Sequence, residues 1–184
     1  HKYGMSPPQK YMTVEQQPFT MDEFLNHQLD VAHAQTYNEI GVVYEHGIKP
    51  SQIRVFDYNK LGVSILEDGI FAKSSWLQSH RSIAVRFIRA SVRGWKWAIA
   101  HPNAAGQISY GHTPSGTTTL YHQKFMARAV AKLIRYGPGL HHDIGYMSPR
   151  LFHRTWGTLY QQGIIHHPPK NAYTQTYWRA AGLH

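Results

Sequence analysis

The chain has 184 residues, of which 42% are hydrophobic and 13% aromatic, a composition typical of a folded globular protein. It contains no cysteine, which excludes disulfide bonds, thiolate metal sites and a cysteine nucleophile. No apolar run is long enough to span a membrane, and the opening HKYGMSPPQK lacks a signal-peptide pattern. The length allows one good hydrophobic core or two small ones.

Charge is divided unevenly along the chain. Residues 1–68 hold 5 Lys and Arg against 9 Asp and Glu, whereas residues 69–184 hold 14 against Asp143 alone. Part of this excess forms a stripe on a predicted helix, Ile83–Ala100. The stripe consists of Arg86, Arg89, Arg93 and Lys96. Basic stripes with interleaved aromatic residues can bind phosphates, so polyanion binding is one alternative function. A solvated helix face is the favoured interpretation, and nucleic acid is not expected as a partner.

The first part of the chain alternates predicted strands and helices. The predicted elements are a strand Tyr11–Glu15, a helix Met21–Gln28, an apolar run Val31–Ala34, a helix from Ile40 ended by Gly47, and strands Ile53–Asp57 and Gly62–Leu66. This alternation with short links predicts an α/β domain built on a largely parallel sheet. Ligands of such sheets bind beyond the carboxyl ends of the strands. Tyr37, Asn38 and Glu39 fall at such a position, just after Val31–Ala34.

The second part of the chain is predicted to be helical. The predicted helices are Ile83–Ala100, His122–Tyr136 ended by Gly137-Pro138-Gly139, one that Ser148-Pro149 opens and Gly163 closes, and a short one within Asn171–Ala181. The Gly- and Thr-rich segment Gly111–His122 lacks the lysine of a phosphate-binding loop and is typical of a linker.

Four segments carry a family resemblance. They are DVAHAQTYNE, HGIKPSQI, FDYNKLGVSILEDGIFA and VRFIRASVRGWKWAIAHP. Together they resemble the solute-binding proteins of ABC importers, and within these the branch that binds pyrimidine precursors of thiamine, related to the nitrate, sulfonate and taurine binders. The TYNE and LEDG elements are the most specific, and the resemblance covers about Val14 to Pro102 well.

The resemblance implies a periplasmic-binding-protein-like fold of type II, with two α/β lobes that clamp a ligand between them. Members of that family are about twice as long, so we expect this chain to be incomplete at its N-terminus. Residues 1–60 are then the remainder of lobe two, residues 61–73 a crossover strand, and residues 74–184 a helical return to lobe one. The resemblance also implies a periplasmic or membrane-anchored extracellular location and a membrane permease as partner.

The same resemblance assigns ligand-binding roles to Tyr37, Asn38 and Glu39, with Glu67 and Asp68 as further candidates. The amine of an aminopyrimidine-like ligand can donate a hydrogen bond to a carboxylate, and its ring nitrogens can accept one from an amide. Its flat face can stack on a tyrosine ring. The alternative is that Asn38 and Glu39 cap the helix that follows them. Glu67 and Asp68 can likewise cap the turn before Gly69.

A second alternative function is an enzyme of the same fold, similar to the eukaryotic synthase of the thiamine pyrimidine. That enzyme carries a cysteine-rich motif where this chain has LGVSILEDG, Leu61–Gly69, without any cysteine. We therefore expect no enzyme activity, no catalytic residues and no cofactor. His141, His142 and Asp143 could collect a metal opportunistically, but loop histidines are favoured, so no metal site is predicted.

Overall fold

The fold is described from a computed structural model for residues 10–136 and 141–184. The chain divides into two compact units, His1–Ile53 and Arg54–His184. The helices of the described residues are α1 (Asp22–Leu25), α2 (Glu39–Glu45), α3 (Ser74–Ser79), α4 (Arg81–Ala100), α5 (Pro102–Gly111), α6 (Leu120–Tyr136), α7 (Pro149–Gln161) and α8 (Thr176–Ala180), with a 3₁₀ turn at Pro50–Gln52. None of these described helices combines the length and apolar character that a membrane crossing requires. The lobe boundaries at residues 60 and 73 stay predictions.

The first unit contains two short helices, and an apolar residue at each of them is buried. Met21 next to α1 and Val43 within α2 are buried, with exposed fractions of 4% and 2%. Helix α2 ends where predicted, because Gly47 follows it with φ +82°, a backbone conformation that glycine adopts at little cost. The prediction of a helix at this position is therefore confirmed.

The predicted α/β detail is not confirmed, because the described residues contain no β-strand. The segments Tyr11–Glu15, Ile53–Asp57 and Gly62–Leu66 are irregular. A strand forms only where a neighbour satisfies its N–H and C=O groups. In the apolar run Val31–Ala34 a side chain takes that role for one residue. The Gln17 amide donates to the His33 carbonyl at 2.9 Å and accepts from the His33 N–H at 2.7 Å.

The predicted crossover strand lies in the second unit and is also irregular. The N–H of Leu66 donates to the Thr155 hydroxyl of α7 at 2.9 Å rather than to a neighbouring strand. Beyond it, Ile70 and Phe71 are exposed by 66% and 88%. Alternating apolar residues therefore predicted a strand at a place where this structure provides no strand partner.

Helices α4, α5 and α6 pack together in the second unit, and α5 was not predicted. Its sequence PNAAGQISYG is rich in residues typical of loops. Pro102 nevertheless suits the first helical position, where a missing N–H costs nothing. Gly106 then allows a close crossing, since a Cβ built on it would lie 2.7 Å from the Gln123 carbonyl oxygen and the Lys124 Cα of α6. Backbone proximity to α6 thus supports α5.

The predictions for the other long helices are confirmed within two or three residues. Helix α4 begins two residues before Ile83, and α6 begins two residues before His122. The Ser148 hydroxyl accepts from the Leu151 N–H at 3.4 Å and caps α7, with Pro149 at its first position. The terminator Gly137-Pro138-Gly139 predicted for α6 lies outside the described residues.

The C-terminal segment forms a small core on α4. Val92 of α4 is buried together with three residues of the tail, which are Trp178, Ala181 and Leu183. The Trp178 indole N–H donates to the Ile144 carbonyl at 2.9 Å, so its polar atom is satisfied on burial. A Cβ on Gly145 would come within 3.4 Å of the same ring. The tail and the loop before α7 therefore enclose one indole ring against α4.

Asp143 connects three segments of this core through hydrogen bonds. Its Oδ1 accepts from the Lys96 ammonium of α4 at 2.6 Å, and its Oδ2 accepts from the His184 N–H at 3.2 Å. The hydrogen bond from Lys96, followed by that from the His184 backbone, lowers the pKa of Asp143 below its usual 3.8. Asp143 is the only acidic residue after Asp68 in the sequence.

We expect Gly106→Ala to lower the free energy of unfolding by roughly 1–3 kcal/mol, because the added methyl group meets α6 backbone atoms. The matched control is Gly94→Ala in α4, where an added Cβ meets nothing within 4 Å. That change should raise stability by about 0.5–1 kcal/mol through helix propensity. Urea unfolding followed by circular dichroism measures both, and equal effects of the two changes would contradict the close crossing.

The Asp143 contacts predict a specific pH dependence. Because the pKa of Asp143 is lowered in the folded state, its contribution to stability is present above pH 3.8 and disappears as the pH falls through the lowered value. Asp143→Asn should therefore lower the free energy of unfolding at pH 6 by less than about 1 kcal/mol, the usual size for a surface pair. The difference from the unmodified chain should vanish in strong acid, and a difference that persists there would contradict this account.

Candidate functional site

The three predicted site residues of the first unit lie at the start of α2. Asn38 occupies the N-cap position, and Glu39 is the first helical residue. Tyr37 precedes them in a turn, and all three side chains are half-buried. The buried Val43 holds α2 in place one turn further along. The structure therefore brings Tyr37, Asn38 and Glu39 together at a helix N-terminus, where the positive end of the helix dipole favours a carboxylate.

The carboxylate of Glu39 is held by two donors. The Gln35 N–H donates to its Oε2 at 2.8 Å, and the Asn38 amide donates to its Oε1 at 3.1 Å. The Asn38 side chain makes no capping hydrogen bond to the helix backbone, so the amide orients the neighbouring carboxylate instead. A carboxylate has about four lone-pair positions. Two donors thus fix Glu39 and leave it able to accept from a further group.

Glu67 and Asp68 belong to the second unit and lie in the irregular segment after Leu66. Both side chains are exposed. The segment before them is fixed to α7 by the bond from Leu66 to Thr155 and by the Arg154 guanidinium, whose Nη2 donates to the Ser64 hydroxyl at 3.0 Å. A cavity of about 200 Å³ lies at this junction. Its lining residues are Asn59, Ser64, Ile65, Leu66, Leu151, Arg154 and Thr155.

A larger cleft of about 460 Å³ lies among α4, α5 and α6. Its size falls within the range of small-molecule pockets. Its lining residues are Ser91, Gly94, Trp95, Ala98, Ile99, Ala105, Ser109, Gln123, Met126, Ala127, Val130 and Ala131. None of the five predicted site residues lines it. Sequence reasoning missed this cleft because it missed α5, and the many small side chains of these helices are the only signal that could have indicated it.

The basic stripe of α4 is partly used in packing. Arg89 donates to the Ala181 carbonyl at 3.2 Å, and Lys96 pairs with Asp143. Arg86 and Arg93 are exposed on the same helix. Two of the four cations therefore fasten the C-terminal tail, which favours a structural role for half of the stripe over a polyanion-binding surface.

Several histidines of the described residues stack on aromatic rings or lie at the ends of helices. The His142 ring stacks on Tyr146 with centroids 3.7 Å apart, and the His80 and His101 rings stack on Trp76 and Trp97 one turn earlier. In residues 10–136 and 141–184, no group of three His, Asp or Glu side chains is arranged to hold a metal ion.

Comparison with known proteins places the first part of this chain in a family. A family model described as NMT1/THI5 like matches residues 1–105, more than half of the chain. The matched range contains α1 to α4 and all five predicted site residues. No curated protein and no solved structure matches the chain.

Proposed function

We propose that this chain, which belongs to the NMT1/THI5-like family, is the solute-binding component of an ABC importer. The family has a periplasmic-binding-protein-like fold and consists mostly of binding proteins, with synthase enzymes among its members. Solute-binding members are typically extracytoplasmic, and a periplasmic or membrane-anchored extracellular location with a membrane permease as partner is part of the proposal. The observation that carries it is the family match over residues 1–105.

The proposed ligand is a pyrimidine precursor of thiamine or a similar small heterocycle. The Glu39 carboxylate accepts a hydrogen bond from the exocyclic amine of the ring. The Gln35 N–H and the Asn38 amide hold this carboxylate in one orientation. Such a charge-assisted hydrogen bond is shorter and stronger than a neutral one. The Tyr37 ring supplies a flat surface for stacking, which adds about 0.5–1.5 kcal/mol. Asn38 contributes by positioning the carboxylate.

Glu67 and Asp68 of the second unit are further proposed ligand contacts, taken by themselves. Both are exposed carboxylates in a segment that Thr155 and Arg154 fix to α7. Exposed carboxylates attract an amine or a protonated ring. Their exposure makes them weaker candidates than Glu39, whose carboxylate already has a defined orientation.

The second candidate function is a synthase, since the family includes such enzymes. This chain carries no cysteine in Leu61–Gly69 or elsewhere, so it lacks the nucleophile and ligand type that a cysteine-rich motif would supply. Binding without chemistry is therefore the function that we favour.

One prediction of the proposed function concerns Glu39. We expect Glu39→Gln to weaken binding of a 4-aminopyrimidine by about 1.5–3 kcal/mol, the range for hydrogen bonds to charged groups. The loss of the helix-dipole contribution should cost only about 0.3–1 kcal/mol of stability. Isothermal titration calorimetry and thermal unfolding separate the two effects. Glu23→Gln in the first turn of α1 is the matched control and should leave affinity unchanged. Unchanged affinity for Glu39→Gln with a lowered melting temperature would assign Glu39 to capping.

Another prediction distinguishes a receptor from an enzyme. The ligand of such a receptor binds the closed state more tightly than the open state, and the receptor needs no groups that break bonds. We therefore expect candidate pyrimidines to be recovered intact after long incubation, with and without iron and pyridoxal phosphate, as measured by mass spectrometry. A saturable change in the fluorescence of the tyrosines and tryptophans should accompany binding. Turnover that disappears when one histidine is replaced would overturn the receptor assignment.

A further inference from the structure

One side of helix α4 carries an apolar row that is open to water. The row consists of Ile83, Phe87, Ala90, Gly94 and Trp97, and all five residues are exposed. The three large side chains, Ile83, Phe87 and Trp97, are exposed by 43%, 57% and 44%. Val92, which the C-terminal tail covers, lies on the opposite side of the helix. The row extends over about 21 Å of the helix, and apolar surface of this extent marks an interaction site.

The spacing of the apolar row is typical of a helix that packs along a second helix. Ile83, Ala90 and Trp97 are seven residues apart, and so are Phe87 and Gly94. Two apolar positions in every seven residues form the seam of paired helices, where side chains of one helix fit between those of the other. Within the part of the chain that the structure describes, every member of the row remains exposed. The row therefore has the pattern of one half of a helix pair.

The shape of the apolar row favours a helix over a flat surface as its partner. Its large side chains lie toward the two ends, whereas Ala90 and Gly94 leave a depression between them. A Cβ added to Gly94 would meet nothing within 4 Å. Gly94 also lines the cleft of about 460 Å³ among α4, α5 and α6, so the row continues into this cleft. A side chain of a partner helix can enter such a depression, which a flat lipid surface cannot follow.

Two arginines border the apolar row and define the charge of its partner. Arg86 and Arg93 directly precede Phe87 and Gly94 in the sequence, and both are exposed. Residues at this border of a helix pair form the ion pairs that select the partner. Neither arginine forms an ion pair within residues 10–136 and 141–184, and α4 contains no acidic residue. A second copy of α4 would therefore bring no carboxylate to this border, and a complementary partner needs acids of its own.

We propose that the apolar row of α4 is a docking site for an amphipathic helix of another protein, whose apolar face is bordered by carboxylates. The apolar side chains of that helix pack between those of the row, and one of them enters the cleft beside Gly94. Its carboxylates pair with Arg86 and Arg93. The surface lies wholly in the second unit and does not rest on the proposed ligand contacts at Glu39.

Three labelled peptides of about three heptads each test the proposal by fluorescence anisotropy with the full chain. The first has Leu at both apolar positions of each heptad and Glu at the bordering positions. The second has Lys in place of Glu, and the third has the composition of the first in scrambled order. We expect the Glu peptide to bind saturably, at least about tenfold more tightly than the other two at about 0.15 M salt. Equal binding of the Glu peptide and its scrambled form would reduce the interaction to net charge and overturn the proposal.

Substitution of an apolar residue locates the binding surface. Phe87→Ser should weaken binding of the Glu peptide by at least about tenfold. The melting temperature should remain nearly unchanged, because Phe87 is exposed. Tyr160→Ser is the matched control, since Tyr160 of α7 is an aromatic residue exposed to a similar degree, and it should leave the affinity unchanged. Equal affinity of the two variants would place the peptide elsewhere and overturn the assignment.

Charge reversal tests the ion pairs separately. Arg86→Glu combined with Arg93→Glu should lower the preference for the Glu peptide over the Lys peptide by at least about fivefold. The matched control is Arg150→Glu combined with Lys170→Glu, which changes the net charge equally at two exposed cations outside α4. The preference should stay within about twofold in this control, because salt screens distant charges. An equal fall in both double variants would show long-range attraction alone and overturn the assignment.

Two further measurements distinguish other occupants of the row. We expect the chain to sediment as a monomer and to show no binding to phosphatidylcholine and phosphatidylserine vesicles that depends on Phe87. Self-association that is lost in Phe87→Ser would make a second copy the occupant and overturn the proposal. Vesicle binding that is lost in the same variant, without binding of the Glu peptide, would make the row a membrane contact and likewise overturn it.

Discussion

Burial of one indole ring on a long helix fixes the C-terminal tail and the loop before α7 to α4. Trp178 is exposed by only 7% and packs against Val92 of α4, and its N–H is satisfied by the Ile144 carbonyl. Burial of a large aromatic side chain is among the strongest single contributions to a small core. The surrounding features follow from this placement. Gly145 gives the ring room, and the Lys96–Asp143 pair fixes the loop and the chain end around it.

Local sequence signals predicted the helices well and the strands poorly, for a physical reason. A helix satisfies its hydrogen bonds within itself, so caps such as Ser148 and end signals such as Gly47 locate it from sequence alone. A strand depends on a partner elsewhere in the chain. The alternating residues of Gly62–Leu66 contain no information about whether a partner is present, and Leu66 binds a helix side chain instead. Helix α5 was missed because its support, the close approach of Gly106 to α6, is also non-local.

The candidate site follows the same division between local and non-local information. The position of Asn38 and Glu39 at a helix start was predictable, because it depends on neighbouring residues. The orientation of Asn38 was not, since its amide could equally have capped the backbone and instead donates to Glu39. Capping and ligand binding are therefore not exclusive at Glu39. A carboxylate that two donors hold is better prepared to receive a third than one that rotates freely.

The C-terminal tail packs on α4, although it lies outside the range that the family model matches. The family match ends at residue 105, inside α5 (Pro102–Gly111), yet the face of α4 that carries Val92 is covered by Trp178, Ala181 and Leu183. The matched range thus ends at one place along the chain, and the packing on α4 extends well beyond it. A chain cut at residue 105 would therefore contain the whole matched range and still leave the Val92 face of α4 open to water.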